Sequence, residues 1–149
     1  MERKNRADPE CPMARTVNVI GEWGSLMIIR EAFFGATRFG DFQKRLSMSR
    51  NLLTTRLKAL VASGVFERKP VNIASRRLEY VLTPKGEDLL TIIVALRQWG
   101  DRWTFAPGQH PFDMIDMTDG AVLEDLSIRS TSGRVVPRKD IRLRPTQSE

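Results

Sequence analysis

The stretch from residue 38 to 80, RFGDFQKRLSMSRNLLTTRLKALVASGVFERKPVNIASRRLEY, decides the fold of this chain. Its first half holds two segments with apolar residues at helical spacing, separated by a short polar turn at 47–49. Its second half holds two strand-forming runs, at 65–68 and 78–82, on either side of a basic loop at 69–77. Helix, turn, helix and β-hairpin in this order predict a winged helix-turn-helix, in a fold that is mainly α with a small β part.

The second helix of this stretch is expected to have one apolar and one polar face. Ser49 suits its N-cap, because a serine hydroxyl accepts a hydrogen bond from an unpaired amide of the first turn, and Gly64 suits the position just beyond its end. Leucines recur on the apolar face at intervals of three and four residues. At ~100° per residue, the polar side chains opposite or beside that face are Arg50, Asn51, Thr54, Thr55, Arg56 and Lys58.

These polar side chains are of the types that contact DNA. Arg, Lys, Asn and Thr donate hydrogen bonds to phosphates and base edges, and the threonine methyl group packs against thymine. The alternative is a solvated surface face, since polar helix faces are common. The hairpin favours DNA, because four further cations on or beside its loop suit a phosphate backbone. The predicted DNA-binding residues are Arg38, Ser49, Arg50, Asn51, Thr54, Thr55, Arg56, Lys58, Arg68, Lys69, Arg76 and Arg77.

The positive charge of the chain is concentrated in the same stretch. Residues 36–80 contain ten Lys and Arg against three acids, whereas the formal net charge of the whole chain is +6. The remaining residues therefore nearly cancel one another. A localised excess of positive charge is typical of a nucleic-acid-binding surface.

Motifs along residues 11–103 resemble the HxlR family of bacterial transcription regulators, which are relatives of the MarR type. The motifs are CPMART at 11–16, IGEW at 20–23, RF at 38–39, LLTTRLKAL at 52–60, GV at 64–65 and LEYVLTPKG at 78–86. The resemblance implies a homodimeric, DNA-binding repressor or activator.

The chain departs from the family pattern at three places. Glu22 stands where the family often has Lys, Ser47-Met48-Ser49 where it often has Gly-Ile-Ser, and Ser75-Arg76 where its wing usually carries Pro. These departures leave the fold prediction unchanged, and they bear on the conformation of the wing and on the preferred operator.

Length and composition limit the domain organisation, the cellular compartment and the kinds of site that we expect. We expect a flexible arm at 1–10, a winged DNA-binding and dimerisation domain at 11–106, and a small C-terminal β annex at 107–149. No apolar run is long enough to span a membrane, and the N-terminus lacks the pattern of a secretory signal, so we expect a cytoplasmic protein. A single Cys and a single His, far apart, argue against a structural metal site.

An enzyme is not expected, and neither a catalytic residue nor a cofactor is predicted. The sequence has no recognisable Ser-His-Asp set, glycine-rich phosphate loop or metal cluster. The alternative to a DNA-binding regulator is a winged-helix module that binds other proteins, because a fold does not fix a function. Against that alternative, the polar face of the second helix carries no large apolar patch.

Cys11 is a candidate redox sensor. Pro12 suits the first position of a helix, which places Cys11 at the helix N-terminus with Arg15 one turn further on. Both features favour the reactive thiolate. Some members of the resembled family use a cysteine at this position as a sensor of oxidants or electrophiles. The alternative is a small, partly buried structural cysteine.

The helices on either side of the winged stretch are predicted to form a dimer. The helix expected from Pro84 to about residue 105 has two apolar strips, more than a helix of one domain usually needs. Two subunits would place their second helices ~34 Å apart, which matches a palindromic operator. The alternative is a monomer in which the second strip covers the annex. The predicted interface residues are Met13, Val17, Ile20, Ile92, Leu96, Trp99 and Trp103.

The sequence contains two further candidate ligand sites, an effector pocket and a cation site. Trp23 and the Phe33–Phe34 pair lie on a helix expected at 23–34, and they would form either core or the lining of a pocket for a small-molecule effector. In the annex, Asp113, Asp116 and Asp119 raise the question of a cation site, but their spacing does not match a calcium loop.

Overall fold

The computed structural model describes residues 10–145, so the predicted flexible arm at 1–10 lies outside the described residues except for Glu10. The architecture is mainly helical with one small antiparallel sheet, which confirms the predicted winged helix-turn-helix. The elements in chain order are α1 (Pro12–Ile20), α2 (Trp23–Phe33), α3 (Phe39–Leu46), α4 (Arg50–Ala62), β1 (Phe66–Pro70), β2 (Leu78–Leu82), α5 (Pro84–Glu87), α6 (Leu90–Trp103) and a 3₁₀ helix (Arg138–Asp140).

Local capping signals account for where several helices begin. Pro12 occupies the first turn of α1, where its missing N–H is not needed. The Ser49 hydroxyl accepts a hydrogen bond from the Leu52 N–H at 3.3 Å and caps α4 as predicted. The Thr83 hydroxyl does the same for α5, accepting from the Gly86 N–H at 3.1 Å.

The long helix predicted from Pro84 to about 105 is divided in two. The Leu89 N–H bonds to the carbonyl of Gly86, three residues back, so the chain tightens between α5 and α6. Gly86 itself packs closely on the wing, because a Cβ atom there would lie 2.3 Å from the Val65 carbonyl oxygen. The prediction of one continuous helix was wrong at this joint, where packing against the start of β1 accompanies the break.

A single apolar core holds the winged part together. The leucine stripe of α4, Leu53, Leu57 and Leu60, is fully buried. The rings of Phe42 and Phe66 meet edge to face, with centroids 6.3 Å apart, and join α3 to β1. The core also contains Ile28, Ile29, Ala36, Met48, Val65 and Ile20.

Ile20 was predicted as a dimer-interface residue, and this prediction was wrong. Its side chain is 5 % exposed and belongs to the core of its own chain. Helical spacing gave it the same face as Met13 and Val17, which are exposed. Because Ile20 is the last residue of α1, it lies where the chain turns towards α2 and is covered by the core.

The turn between α3 and α4 is made by a left-handed serine. Ser47 has φ +50° and ψ +32°, and it is the one non-glycine residue with positive φ among the described residues. In residues other than Gly, Asn and Asp, this left-handed conformation costs ~1–2 kcal/mol, because the Cβ atom crowds the following carbonyl. The turn therefore carries strain that a glycine would relieve.

Replacing Ser47 with glycine is expected to raise the free energy of unfolding by up to ~1 kcal/mol, since relief of strain outweighs the added freedom of the unfolded chain. Urea denaturation followed by circular dichroism measures the change. Ser63→Gly is the matched control, because Ser63 has φ −82° and should lose stability instead. A loss of stability in Ser47→Gly would contradict the strain assigned to the turn.

The two strands form the predicted wing. Phe66 pairs with Leu82 and Pro70 with Leu78, in an antiparallel register that is continuous over five residues. The hairpin continues one bond further, since the Val71 N–H donates to the Arg77 carbonyl at 3.0 Å. The hairpin therefore extends to Arg77, and Arg76 and Arg77 are exposed.

The described chain divides into two compact units, one ending at Ile93 and the other beginning at Val94. This division falls inside α6, whereas the sequence places the start of the annex at 107. The annex was expected to contain short strands, but it holds isolated antiparallel bridges, Ile115 with Val122 and Arg129 with Val135. Each bridge closes a short turn with no third strand to extend it, so no ladder develops.

Candidate nucleic-acid interface

The polar face of α4 is open to solvent. Arg50, Asn51, Thr55 and Lys58 are exposed, and Thr54 is half-buried beside them. The opposite face of the same helix is the buried leucine stripe. Because that stripe fixes the rotation of the helix, the polar side chains are presented together on one side. We call α4 the recognition helix from here on.

The N-terminal turn of the recognition helix is held by contacts that the sequence did not indicate. The guanidinium of Arg50 lies over the ring of Phe39, 5.2 Å from its centroid. The Thr55 hydroxyl donates to the carbonyl of Asn51 at 2.9 Å. Arg50 is thus positioned by α3, and the Thr55 methyl group is the part of that side chain left for an apolar contact.

Two predicted DNA-binding residues have structural roles in this chain. The Ser49 hydroxyl is occupied as the cap of the recognition helix. Arg56 is half-buried and its Nη2 pairs with Oε2 of Glu22 at 3.2 Å, which ties the recognition helix to the start of α2. Ser49 and Arg56, two of the twelve predicted DNA-binding residues, therefore already have partners within the protein.

Arg38 lies exposed at the start of α3, beside the base of the wing. Its Nε is 3.6 Å from Oε1 of Glu79, and the Thr37 hydroxyl donates to the same oxygen at 3.2 Å. The Tyr80 N–H also donates to the Thr37 carbonyl at 2.7 Å. Strand β2 is therefore attached directly to the segment that leads into the helix-turn-helix.

The wing supplies a second group of cations. Arg68 lies over the ring of Tyr80 at 5.6 Å, and Lys69 pairs with Glu67 at 2.7 Å. Arg76 and Arg77 are exposed at the tip, and no ion pair involves either of them in the part of the chain that the structure describes. These two guanidiniums are the wing charges most available to an outside anion.

Lys44 is an exposed cation that is not among the DNA-binding residues predicted from the sequence. It lies on α3, in the same winged part as the recognition helix. Its neighbour Arg45 is used internally, donating to the Phe34 carbonyl and lying 3.6 Å from Glu31. Charge was the only sequence signal for Lys44, because its position relative to the turn depends on the fold.

The other candidate residues are also placed. Cys11 is the N-cap residue of α1, is half-buried and is not part of a disulfide. Trp23 and Phe34 are exposed rather than core, 61 % and 58 % respectively. Apart from Ile20, the predicted dimer residues are all exposed, namely Met13, Val17, Ile92, Leu96, Trp99 and Trp103.

The three acids of the annex form turns. The Asp116 carboxylate accepts the Thr118 N–H at 2.7 Å, and this bond holds the pKa of that carboxyl below its usual value. Asp119 accepts the Ala121 N–H at 2.8 Å, and Asp113 lies 2.9 Å from a ring nitrogen of His110. Within residues 10–145, no group of three or more His, Cys, Asp or Glu is placed to hold a metal ion.

In the same described range, no helix has both the length and the apolar character needed to cross a bilayer.

Comparison with known proteins places the chain in a family. The model of the HxlR-like helix-turn-helix family matches residues 19–107. This range contains the recognition helix and the whole wing. The chain belongs to the HxlR family of helix-turn-helix transcriptional regulators, as its motifs indicated.

Similar proteins are described as helix-turn-helix transcriptional regulators or as transcription factors. Uncharacterised HTH-type transcriptional regulators of Mycobacterium tuberculosis and Mycobacterium bovis are 35 % identical over 133 residues, which is 89 % of this chain and 84 % of theirs. The crystal structure of PA1607, described as a candidate transcription factor, superposes with a TM-score of 0.87 at 37 % identity, covering 93 % of this chain and 97 % of that one.

A third similar structure concerns redox chemistry. The oxidised form of the redox regulator HypR matches with a TM-score of 0.54 at 29 % identity, covering 60 % of this chain and 94 % of that one.

Proposed function

We propose that this regulator binds a specific operator as a homodimer, with the recognition helix in the major groove and the wing on the adjoining backbone. The observation that carries the proposal is the single exposed face of Asn51, Thr55 and Lys58 opposite a fully buried leucine stripe. Base edges are contacted by side chains of these types. Arg50, Arg38, Lys44 and the wing arginines supply the positive charge that phosphate binding needs.

The proposed dimer rests on the exposed apolar side chains of α1 and α6. Met13 and Val17 are exposed on α1, and Leu96, Trp99 and Trp103 recur every three or four residues along α6. A monomer would leave these side chains in water. A two-fold dimer would present two recognition helices, which favours a palindromic operator in the DNA. Occupation of a promoter in this way would exclude polymerase, so we propose a repressor.

Fluorescence anisotropy with the DNA upstream of this protein's own gene tests the proposal, with random DNA of the same length as the reference. We expect tighter binding to the upstream DNA and a fall of ~0.9 in log K per log unit of salt for each phosphate contacted. A salt-independent signal, or equal affinity for every sequence tried across the genome, would contradict specific DNA binding. The alternative function, a module that binds other proteins, would then gain support.

Arg77→Ala is expected to weaken binding to specific and random DNA alike. The exposed guanidinium at the tip of the wing is proposed to contact one phosphate, so its loss should flatten the salt slope by ~0.9. The measurement is the anisotropy titration at several salt concentrations. Arg144→Ala, which removes an exposed cation of the annex, is the control and should leave the slope unchanged. An unchanged slope in Arg77→Ala would remove the wing tip from the interface.

Cys11 is the proposed redox switch. It lies at the N-cap of α1, and α1 carries part of the proposed dimer surface. Because the chain has one cysteine, an oxidant would convert its thiol to a sulfenic acid. The sulfenic acid then loses water on condensing with the Cys11 thiol of a second chain or with a small thiol, which gives a disulfide. An electrophile would instead alkylate the thiolate and form an adduct. HypR, a redox regulator by its description, shares the winged fold.

We expect a mild thiol oxidant to abolish specific binding by the wild-type protein and to leave Cys11→Ser unaffected. Anisotropy before and after oxidant, and again after a reducing agent, measures the effect. Wild-type binding that does not change when mass spectrometry shows the thiol fully oxidised would eliminate the switch.

A small-molecule effector is the other proposed regulator. A cavity of about 240 Å³ is lined by Arg15, Thr16, Val19, Lys85 and Leu89, among others. A lining that combines two cations with apolar side chains suits a small carboxylate with an apolar body. Lys85 also donates to the Ser63 carbonyl at the end of the recognition helix, at 2.6 Å, so a ligand there would disturb that helix. Adding small aromatic carboxylates to the titration tests this, and constant affinity across the series would contradict it.

A further inference from the structure

The C-terminal unit exposes far more apolar surface than a lone chain should. Between Val94 and residue 145, Val94 is the one buried residue that the structure describes. Fourteen large apolar side chains in this range are at least 41 % exposed, including Trp99, Trp103 and Phe112. Large exposed apolar areas on soluble proteins mark interaction sites, so this surface indicates an interface.

Polar contacts, rather than a core, hold the annex in place within this unit. The Gln98 side chain donates to the Glu124 carbonyl at 2.9 Å and accepts the Leu126 N–H at 2.8 Å. Arg102 pairs with Asp125 at 2.7 Å. Exposed contacts of this kind contribute ~0–1 kcal/mol each. They set the path of the chain, but they leave its apolar side chains without a partner.

The annex is split into two halves of opposite charge. Residues 104–128 contain five acids and no Lys or Arg, whereas residues 129–144 contain six Lys or Arg and one acid. In the first half, Ile115 pairs with Val122 across a hairpin. The same register places Asp113 opposite Glu124, and like charges in that position repel each other. We call residues 113–124 the acidic hairpin. Asp113 at its base lies 2.9 Å from a ring nitrogen of His110, whereas Glu124 has no ion pair among the described residues.

The second half provides a matching groove. Arg138, Lys139, Ile141 and Arg142 line a depression of about 440 Å³ beside the 3₁₀ helix. We call it the basic groove. Its three cations and one apolar side chain complement the acids and apolar residues of the hairpin. Asp140 is already used, since it pairs with Arg134.

We propose that the annexes of two chains pack on each other, with the acidic hairpin of each seated in the basic groove of the other. This rests on the homodimer of the proposed function and assigns the annex its role there. A two-fold contact is reciprocal by symmetry, so the acidic hairpin and the basic groove of each chain both gain a partner of opposite charge. The surface also continues from the exposed α6 side chains, because the annex follows Trp103 directly.

The exposed area is enough for such a dimer. An aromatic side chain has ~150–250 Å² to bury, so Trp99, Trp103, Phe105 and Phe112 together would bury roughly 500 Å² at their present exposure. A stable interface needs ~800 Å² from each partner. The remaining exposed apolar residues of this unit make up the difference.

Reciprocal charge reversal tests the pairing. One chain carries Arg138→Glu and Lys139→Glu, and the other carries Asp113→Arg and Glu124→Arg. In a homodimer of either variant, the hairpin and the groove carry charges of the same sign. We therefore expect dimerisation at least ~10-fold weaker than wild type. An equimolar mixture restores opposite charges at both contacts and should recover the wild-type dimer. Sedimentation equilibrium without DNA measures all three samples, and circular dichroism verifies their folding.

The outcomes separate the possible arrangements. Recovery in the mixture supports pairing between chains. Weak dimers that the mixture does not restore would mean that the hairpin and groove meet within one chain, or not at all, and would overturn the proposal. Variants that dimerise like wild type, or a wild type that is a monomer, would overturn it as well. DNA binding is measured in a separate titration, so specific operator binding can stand or fail independently.

Crosslinking of the wild-type protein tests the same contact between hairpin and groove if the variants do not fold. Lys139 is the one lysine of the annex, and a carbodiimide joins it to a carboxylate in direct contact. In an equal mixture of ¹⁴N- and ¹⁵N-labelled chains that have been unfolded and refolded together, we expect peptides that join Lys139 of one isotope to Asp113 or Glu124 of the other. Joined peptides of a single isotope only, or none with these residues, would overturn the proposal.

Discussion

Replacing Phe42 with alanine is expected to lower the free energy of unfolding by ~3–5 kcal/mol. Phe42 is fully buried, and its ring meets Phe66 edge to face, which joins the first helix of the helix-turn-helix to the wing. The change removes that contact and leaves a cavity. Because small domains have ~5–15 kcal/mol of stability in total, we also expect DNA binding to be lost at a lower temperature than in the wild type.

Urea denaturation followed by tryptophan fluorescence and circular dichroism measures this loss. Phe34→Ala is the control, since Phe34 is 58 % exposed and a change there should stay within ~0.5 kcal/mol. A loss below ~1.5 kcal/mol in Phe42→Ala would mean that the core collapses into the space. The proposed coupling of α3 to the wing through this ring would then be wrong.

Lys58→Ala is expected to weaken the specific operator more than random DNA. Lys58 is exposed in the middle of the recognition helix, on the face opposite the leucine stripe. A side chain that contacts a base edge contributes ~1–3 kcal/mol of discrimination, which corresponds to a loss of about 5- to 150-fold on the operator alone. Anisotropy titrations on both DNAs at one salt concentration measure the ratio.

Lys44→Ala provides the comparison, because Lys44 is an exposed cation of the same winged part but lies on α3. We expect it to reduce binding to both DNAs by a similar factor, as a phosphate contact does. If Lys58→Ala also reduced both equally, Lys58 would contact phosphate, and base recognition would have to rest on Asn51 and the threonines.

Local signals allowed much of the winged fold to be predicted. The Ser49 cap and the leucine stripe depend on neighbours within a few residues, and the structure confirms both. The second strand of the wing lies at the predicted 78–82, whereas the first runs over Phe66–Pro70 rather than 65–68. The polar face of the recognition helix follows from the same periodicity. These features needed no knowledge of how the elements pack.

Contacts between elements that are distant in the sequence determined the features that could not be predicted. Ile20 shares a helical face with Met13 and Val17, yet the turn into α2 buries it. Arg56 looked like a phosphate contact until the fold brought Glu22 within 3.2 Å, although these residues are 34 positions apart. The break before α6 likewise accompanies close packing of Gly86 on Val65. In each case the deciding partner lies on another element.

The annex was the least predictable part. Alternating apolar and polar residues indicated strands, but a strand needs neighbours, and each hairpin there has only its own return segment. Its two charge blocks are visible in the sequence. Their meaning depends on the basic groove, which exists only once Arg138, Lys139 and Arg142 are brought together around the 3₁₀ helix.

The attachment of the wing to Thr37 bears on the shape of the DNA rather than on its bases. Because Tyr80 and Glu79 bond to Thr37, just before α3, any movement of the wing away from the helix-turn-helix would break these bonds. If the bonds persist on the DNA, the double helix has to bend to bring its backbone to the wing. Sites that bend easily would then bind more tightly, because less deformation energy is spent. Operators would differ in affinity through flexible base steps, such as TA and CA, at positions that no side chain touches.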